Sequence, residues 1–298
     1  MKTVLIAGAS GYLGRYVVQE FKRQGFRVRV VVRRPEALQQ EGPFLAPAIA
    51  DLADEIFVGE LTRPESLRGL CDGVDIVFSS VGITRQQEGF TYEDVDFGAN
   101  MNLLYEAVRA SVQRFLFISV FQAEQFRHLE LVEARERFVE ALTGSGLSYT
   151  IIRPTGFYSD LTELLHMGAK GVIMLPGKGD CRMNPIHGAD LARFCVQSAE
   201  GGPPELSVGG PEVFTYRELA ELAGTLVSRT PRLLRLPHWL IAAGLAILKR
   251  VNHPLHGAAA FLSAVTTTDL IAPAAGEKRL CPYFETYLSD QEKRRKRP

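Results

Sequence analysis

At 298 residues, with 46% hydrophobic and 23% charged residues, the chain can bury a sizeable core and has the composition of an ordinary globular protein. Lys plus Arg and Asp plus Glu both number 34, which excludes a broad basic surface for nucleic acid and leaves recognition to local patches. Cys71, Cys181, Cys195 and Cys281 show no C-x-x-C spacing, so neither a metal site nor a disulfide framework is expected.

Val4-Leu5-Ile6-Ala7 is a short, continuous apolar run of the kind found in parallel strands buried on both faces. It is too short for a signal peptide and gives way to a glycine loop, so a cytoplasmic protein is expected. A helical pattern covers residues 12–23 and a second strand 27–32. Further strands are expected at 56–58, 74–78, 115–119 and 149–152, with helices clearest at 93–110 and 129–142. Strand and helix alternating in this way imply right-handed crossovers and an α/β fold with an open, doubly wound parallel sheet.

The rhythm breaks after Pro154. A glycine-rich loop at 168–179, a helix at 190–198 and a strand at 206–208 precede a mostly helical remainder. Residues 1–155 therefore read as a dinucleotide-binding core, and 156–298 as the part that completes the sheet and forms a smaller, mostly helical C-terminal cap. The apolar stretch 239–248 is about half the ~20 residues needed to span a bilayer. A buried cap helix is expected there, with a membrane-surface or oligomer face as the alternative. The basic run Lys293-Arg294-Arg295-Lys296-Arg297 reads as a solvated, disordered tail.

Gly8-Ala9-Ser10-Gly11-Tyr12-Leu13-Gly14 lies directly between the first strand and the first helix. Glycines there permit the tight turn and let the backbone approach a pyrophosphate, while the helix N–H groups face the anion. The second strand ends in Val32-Arg33-Arg34-Pro35, where NAD-selective proteins usually carry an Asp or Glu for the ribose hydroxyls. Guanidinium groups match a phosphate in charge and geometry. One such contact contributes roughly 1.5–3 kcal/mol and favours NADP(H) over NAD about ten- to a hundredfold.

With the G-x-x-G-x-x-G spacing, these arginines and the segment Ser145-Gly146-Leu147-Ser148-Tyr149-Thr150-Ile151-Ile152-Arg153-Pro154-Thr155-Gly156-Phe157, the chain resembles atypical, NmrA-like short-chain dehydrogenase/reductases over almost its whole length. Val95-Asp96 with Asn100 and Asn102, and Pro185-Ile186-His187 with Asp190-Leu191-Ala192, also resemble that group. The resemblance implies a Rossmann sheet, an adenine contact near Gly59-Glu60-Leu61, a cofactor loop at Ser79-Ser80-Val81-Gly82 and a nicotinamide-side contact at Pro154-Thr155-Gly156-Phe157. Glu60 stands where the family commonly has Asp. Asn100 and Asn102 are too close in sequence to share a helical face, and Asn102 is the expected site residue. His187 and Asp190 are expected to cap the helix that begins beside them.

Ordinary members of the superfamily use a Tyr-x-x-x-Lys pair on one helical face. The counterparts here are Leu131 and Arg135. Leucine transfers no proton, and arginine is a fixed cation. Arg135 is left to hold a ribose hydroxyl or phosphate, or to form a salt bridge to a helix neighbour. His128, Tyr158 and Ser119 are the remaining catalytic candidates, and Met183, Asn184 and Phe157 are candidates for a pocket wall or plain core.

Three functions fit. The first is an NADPH-dependent reductase acting on a small carbonyl or activated alkene. The second is a non-enzymatic NADP(H) sensor or assembly protein that recognises a protein partner. The third, a sugar-nucleotide epimerase, is disfavoured by the missing tyrosine. The oligomeric state is not encoded in any motif.

Overall fold

The computed structural model describes residues 1–84, 89–227 and 231–296 of the chain. The first half holds strand β1 (Thr3–Ala7), helix α1 (Tyr12–Arg23), β2 (Arg27–Val32), β3 (Glu55–Val58) and β4 (Ile76–Ser79). A π-helical segment, Glu93–Ala99, runs directly into α2 (Asn100–Arg109), followed by β5 (Arg114–Ile118), α3 (Ala123–Phe126), α4 (Glu130–Thr143) and β6 (Ser148–Pro154). Next come α5 (Thr162–Ala169), β7 (Val172–Pro176), β8 (Arg182–Met183), α6 (Gly188–Gln197) and β9 (Glu205–Val208). The chain continues through β10 (Phe214–Thr215), α7 (Tyr216–Leu226), β11 (Arg232–Leu236), α8 (His238–Val251), α9 (His253–Thr266) and α10 (Leu280–Lys296).

Seven strands form one Rossmann-like sheet in the order β3-β2-β1-β4-β5-β6-β9. The pairings among β1 to β6 are parallel. Sequence order reverses between β1 and β4, the topological switch point at which open α/β sheets bind ligands. Val4, Leu5, Ile6 and Ala7 are fully buried, which explains why this strand reads as an unbroken apolar run. Phe138 of α4 packs on Phe117 of β5 with ring centroids 4.6 Å apart, and Leu103 of α2 joins the same core. Burial of each such side chain contributes about 1.5–3 kcal/mol.

The chain divides into two compact units: Met1–Arg153 with Leu191–Ser207, and Pro154–Asp190 with Val208–Pro298. The seventh strand thus comes from a segment that returns to the first unit. In the second unit β7 pairs with β11 in parallel and β8 with β10 antiparallel. Helix α7 begins with a reciprocal capping box between Thr215 and Glu218.

Three expectations about the second half are corrected. The stretch 168–179 is not a continuous loop, because α5 runs through Ala169 and β7 occupies Val172–Pro176. The apolar stretch 239–248 does form helix α8, but no residue of α8 is buried. Only Ile241, Leu245 and Leu248, spaced i, i+4 and i+7, are partly shielded. The basic run near the C-terminus is helical through Lys296, and Arg297 lies outside the described residues.

Candidate cofactor-binding site

At the end of β1, Gly8 adopts φ +85°, and a Cβ there would stand 2.7 Å from the Ser80 hydroxyl oxygen. A Cβ on Gly14 would overlap the Gly8 carbonyl. The loop therefore closes only with bare backbone at both positions. The Gly11 N–H donates to the Gly8 carbonyl at 3.0 Å, and Gly11 is the N-cap of α1 without any side-chain cap. No acidic residue occupies the first turn of this 12-residue helix, so its positive end is available to an anion. Ala9 and Leu13 are buried beneath the loop and Ser10 is exposed. Tyr12 packs edge-on against Tyr16 at 5.4 Å.

Arg15, one residue past the motif, is a determinant that the motif reading missed. Its buried guanidinium donates to the carbonyls of Ser10 (3.0 Å), Gln40 (2.7 Å), Pro47 (2.8 Å) and Ala37. Burial lowers its pKa. It ties the glycine loop to the segment that follows Arg33 and Arg34, and a basic residue inside an otherwise apolar helix face was the available signal.

Arg33 and Arg34 follow β2 and are both exposed. Arg33 approaches Glu60 at 4.0 Å, and Glu60 also meets Arg63 at 3.2 Å. Glu60 is braced by the Ser66 hydroxyl, which accepts from the Glu60 N–H at 2.9 Å. Asn102 donates to the Leu61 carbonyl at 2.9 Å.

The loop after β4 is held from beneath. Ser79 donates to the Asn100 Oδ1 at 2.6 Å and accepts from the Val81 N–H at 3.2 Å, and Ser80 N–H donates to Ala7 O at 3.2 Å. The amide of the fully buried Asn100 donates to Val81 O at 3.2 Å and Asp96 O at 2.9 Å. Both asparagines therefore brace loops: Asn100 the Ser79–Gly82 loop and Asn102 the Glu60–Leu61 turn. The opposite helical faces that sequence spacing demands are thus used on two different loops.

Arg135 makes its salt bridge outside its own helix. It donates to Asp96 at 2.8 Å and to Ile118 O at 3.2 Å, beside Gly82, where any Cβ would meet the guanidinium. Asp96 accepts from the Ile83 N–H at 3.2 Å. Burial pushes the Asp96 carboxyl up to about 6, with Arg135 opposing the shift. Asp96 lies within the π-helical segment, a local distortion often found at functional sites.

The catalytic candidates lie in separate surroundings. Ser119, at the end of β5, is buried and donates to Glu136 at 2.6 Å. Glu136 is held by both ends of the Arg153 guanidinium, at 2.7 and 2.9 Å, and Arg153 also reaches Glu205 at 2.7 Å. Burial works against the Arg153 charge, and the two carboxylates more than offset it, so its pKa rises. His128 is exposed on the turn before α4, and Leu131 is buried. In the second unit Tyr158 is fully buried and donates to Lys278 O at 2.7 Å. Burial raises its pKa further.

Pro154-Thr155-Gly156-Phe157 continues β6 into the second unit. Thr155 N–H donates to Val208 O at 3.1 Å and its hydroxyl to Asn184 O at 2.6 Å, while Ile186 N–H donates to Gly156 O at 2.8 Å. Asn184 is itself buried, donating to Gly210 O at 3.1 Å and Ala272 O at 2.9 Å. Met183 is buried with its methyl group over Gly156, and Phe157 is half-buried. His187 Nδ1 accepts from Ala189 N–H at 3.0 Å, a capping contact, and burial depresses its pKa to about 4. Asp190 instead accepts from the N–H groups of Glu277 (3.0 Å) and Lys278 (2.8 Å), pinning a distant turn.

Asp160, three residues after Phe157, was not singled out by the sequence. It keeps open surface while protein atoms crowd its carboxyl and push its pKa up to about 6, against hydrogen bonds from Phe157 and Ser159. Among the described residues, no cluster of His, Cys, Asp or Glu has the makings of a metal site.

A parallel sheet with a bare-backbone phosphate cradle at its switch point defines a Rossmann-type nucleotide-binding protein. The family model described as NAD(P)H-binding matches residues 8–201. The chain belongs to this family and is NmrA-like.

Among curated relatives, a chloroplastic divinyl chlorophyllide a 8-vinyl-reductase of Zea mays is 28% identical, covering 83% of this chain and 64% of the relative. The chain thus spans somewhat less than two thirds of that relative's length. A ceramide reductase of Caulobacter vibrioides is 29% identical over 78% of this chain and 73% of its own. The photosystem II assembly factor Ycf39 of Trieres chinensis is 26% identical over 80% and 73%. Among solved structures, the leucoanthocyanidin reductase–NADPH complex of Vitis vinifera superposes with a TM-score of 0.73 at 17% identity, covering 96% of this chain and 99% of that one. The NADPH complex of the quinone oxidoreductase QOR2 of Escherichia coli gives 0.69 at 19% identity, over 96% and 99%. These two likenesses concern the fold.

Proposed function

We propose that the chain is an NADP(H)-dependent reductase acting on a carbonyl or activated alkene without the usual catalytic tyrosine. The carrying observation is the glycine cradle, which excludes a Cβ at Gly8 and Gly14, together with Arg33 and Arg34 where a ribose-binding carboxylate would otherwise stand. In this reading the N-terminus of α1 takes the pyrophosphate and the two arginines the 2′-phosphate. Within the first unit, Glu60-Leu61 makes the adenine contact and Ser79–Gly82 forms a cofactor loop. A reduced nicotinamide, when bound, supplies the hydride.

Arg135 acts indirectly, holding Asp96 and through it the Gly82-Ile83 backbone. Leu131 offers no proton at the tyrosine position. An alkene conjugated to an electron-withdrawing group tolerates that loss, because it delocalises the developing charge until a proton arrives. Asp160 is the acid this chain offers beside Phe157, and water is the alternative donor. The 8-vinyl-reductase and the ceramide reductase among the relatives support a reductase, the first of them one that acts on an alkene.

The scattered environments of Ser119, His128 and Tyr158 favour a second reading, a non-catalytic NADP(H)-responsive assembly protein, and one relative is named an assembly factor. Single-turnover mixing of NADPH-loaded protein with conjugated enones and quinones separates the two. Acceptor-dependent loss of the nicotinamide absorbance supports the reductase, and tight binding without loss supports the assembly role.

A further inference from the structure

Helix α8 is apolar along nearly its whole length, yet it contributes nothing to the core of its own unit. Trp239 is 71% exposed, Ile247 65% and Val251 79%. Leu240 is exposed on the same helix, and Met174 and Leu234 lie opposite one another on the β7–β11 ribbon that leads through Pro237 into α8. A contiguous run of chain therefore presents large apolar side chains to solvent, which marks an interaction surface.

Its charge identifies the occupant. No Asp or Glu occurs between Glu221 and Asp269, whereas Arg232, Arg235, Lys249 and Arg250 all fall within that stretch. The whole chain is formally neutral, so this is a local segregation of positive charge onto the apolar region. Lys249 and Arg250 occupy the last turn of α8 and Trp239 its first turn. An aromatic ring at one end and long cationic side chains at the other is the pattern of a helix lying in a lipid headgroup layer, where the rings sit at the interface and the lysine and arginine stems snorkel to phosphate. No helix among the described residues is long and apolar enough to cross a membrane, so the contact is superficial.

We propose that α8, with the adjoining β7–β11 ribbon, docks the protein on the surface of an anionic bilayer. The apolar side chains enter the headgroup–acyl boundary and the basic residues engage lipid phosphates. A second copy of the chain is the competing occupant. It is disfavoured because it would bring together two segments that each carry Arg232, Arg235, Lys249 and Arg250 and no carboxylate to neutralise them.

The test is co-sedimentation of the full chain with phosphatidylcholine vesicles containing phosphatidylglycerol, against vesicles of phosphatidylcholine alone, in low and physiological salt. Binding that prefers the anionic vesicles and weakens with salt is expected. Ile247→Glu should lower the partition coefficient at least about tenfold, and Lys249→Glu with Arg250→Glu should abolish the preference for phosphatidylglycerol. Both variants alter exposed residues, so NADPH binding and the cooperative melt should be unchanged and report on folding. Failure of the wild type to bind anionic vesicles, or variants that bind as it does, would overturn the proposal. So would a concentration-dependent dimer that Ile247→Glu dissociates while vesicle binding is absent.

Discussion

Replacing Arg33 and Arg34 by alanine tests the cofactor assignment through a difference between two ligands. Each charge-assisted contact to a phosphate contributes roughly 1.5–3 kcal/mol. The Arg33 side chain is 54% exposed and lies 4.0 Å from Glu60, so solvent and a competing carboxylate place it at the lower end. Two contacts of about 1.5 kcal/mol each predict that the double variant binds NADPH about a hundredfold more weakly. NADH has no 2′-phosphate, and its affinity should change less than about threefold. Arg33→Ala alone should cost more than Arg34→Ala, because it also leaves the Glu60 carboxylate facing the phosphate, with Arg63 beside it at 3.2 Å. Glu60→Gln should tighten NADPH binding for the same reason. Titration by nicotinamide fluorescence, at low and physiological salt, measures all four variants. Equal weakening of NADPH and NADH in the double variant would refute the 2′-phosphate assignment.

Asp160→Asn should lower kcat by about a hundredfold with KM nearly unchanged if this carboxyl delivers the proton. The wild-type kcat should then fall as pH rises above about 6, where the acid form is lost, and the variant's profile should be flat. Ser119→Ala should leave turnover within about threefold, because its hydroxyl already serves Glu136, while reducing unfolding free energy in urea by about 1 kcal/mol. Arg153→Met should cost about 3–5 kcal/mol in the same assay, since Glu136 then stays buried without its guanidinium. His187 has its pKa lowered from 6.5 to about 4 by burial, so the unfolded chain takes up this proton first. Its contribution is complete above pH 6.5 and is lost as pH falls towards about 4, at up to roughly 1.4 kcal/mol per pH unit. His187→Gln should flatten that part of the wild-type stability profile.

The first unit was largely legible because buried parallel strands are written as apolar runs. The expected bounds 12–23 and 27–32 coincide with α1 and β2. The glycine motif was interpretable because its neighbours on both sides were strand and helix. What escaped were relations between residues distant in the chain. Nothing local announces that Asn100 reaches Val81, that Arg135 pairs with Asp96, or that Asp190 receives the Glu277 and Lys278 N–H groups. The second unit misled for a different reason. Glycines at 171, 177 and 179 masked the strand β7, and apolarity was read as burial in α8, although hydrophobic composition does not say whether the covering partner belongs to the same chain.

The proposed hydride transfer from NADPH to a carbonyl or alkene proceeds without the usual tyrosine. The most direct measurement is stopped-flow absorbance at the reduced-nicotinamide band, with purified protein, NADPH and a panel of aldehydes, quinones and enones. The expected result is oxidation that requires one acceptor class, persists in Ser119→Ala and Tyr158→Phe, and slows sharply in Arg33→Ala with Arg34→Ala. NADPH bound tightly and left reduced across the whole panel would contradict it.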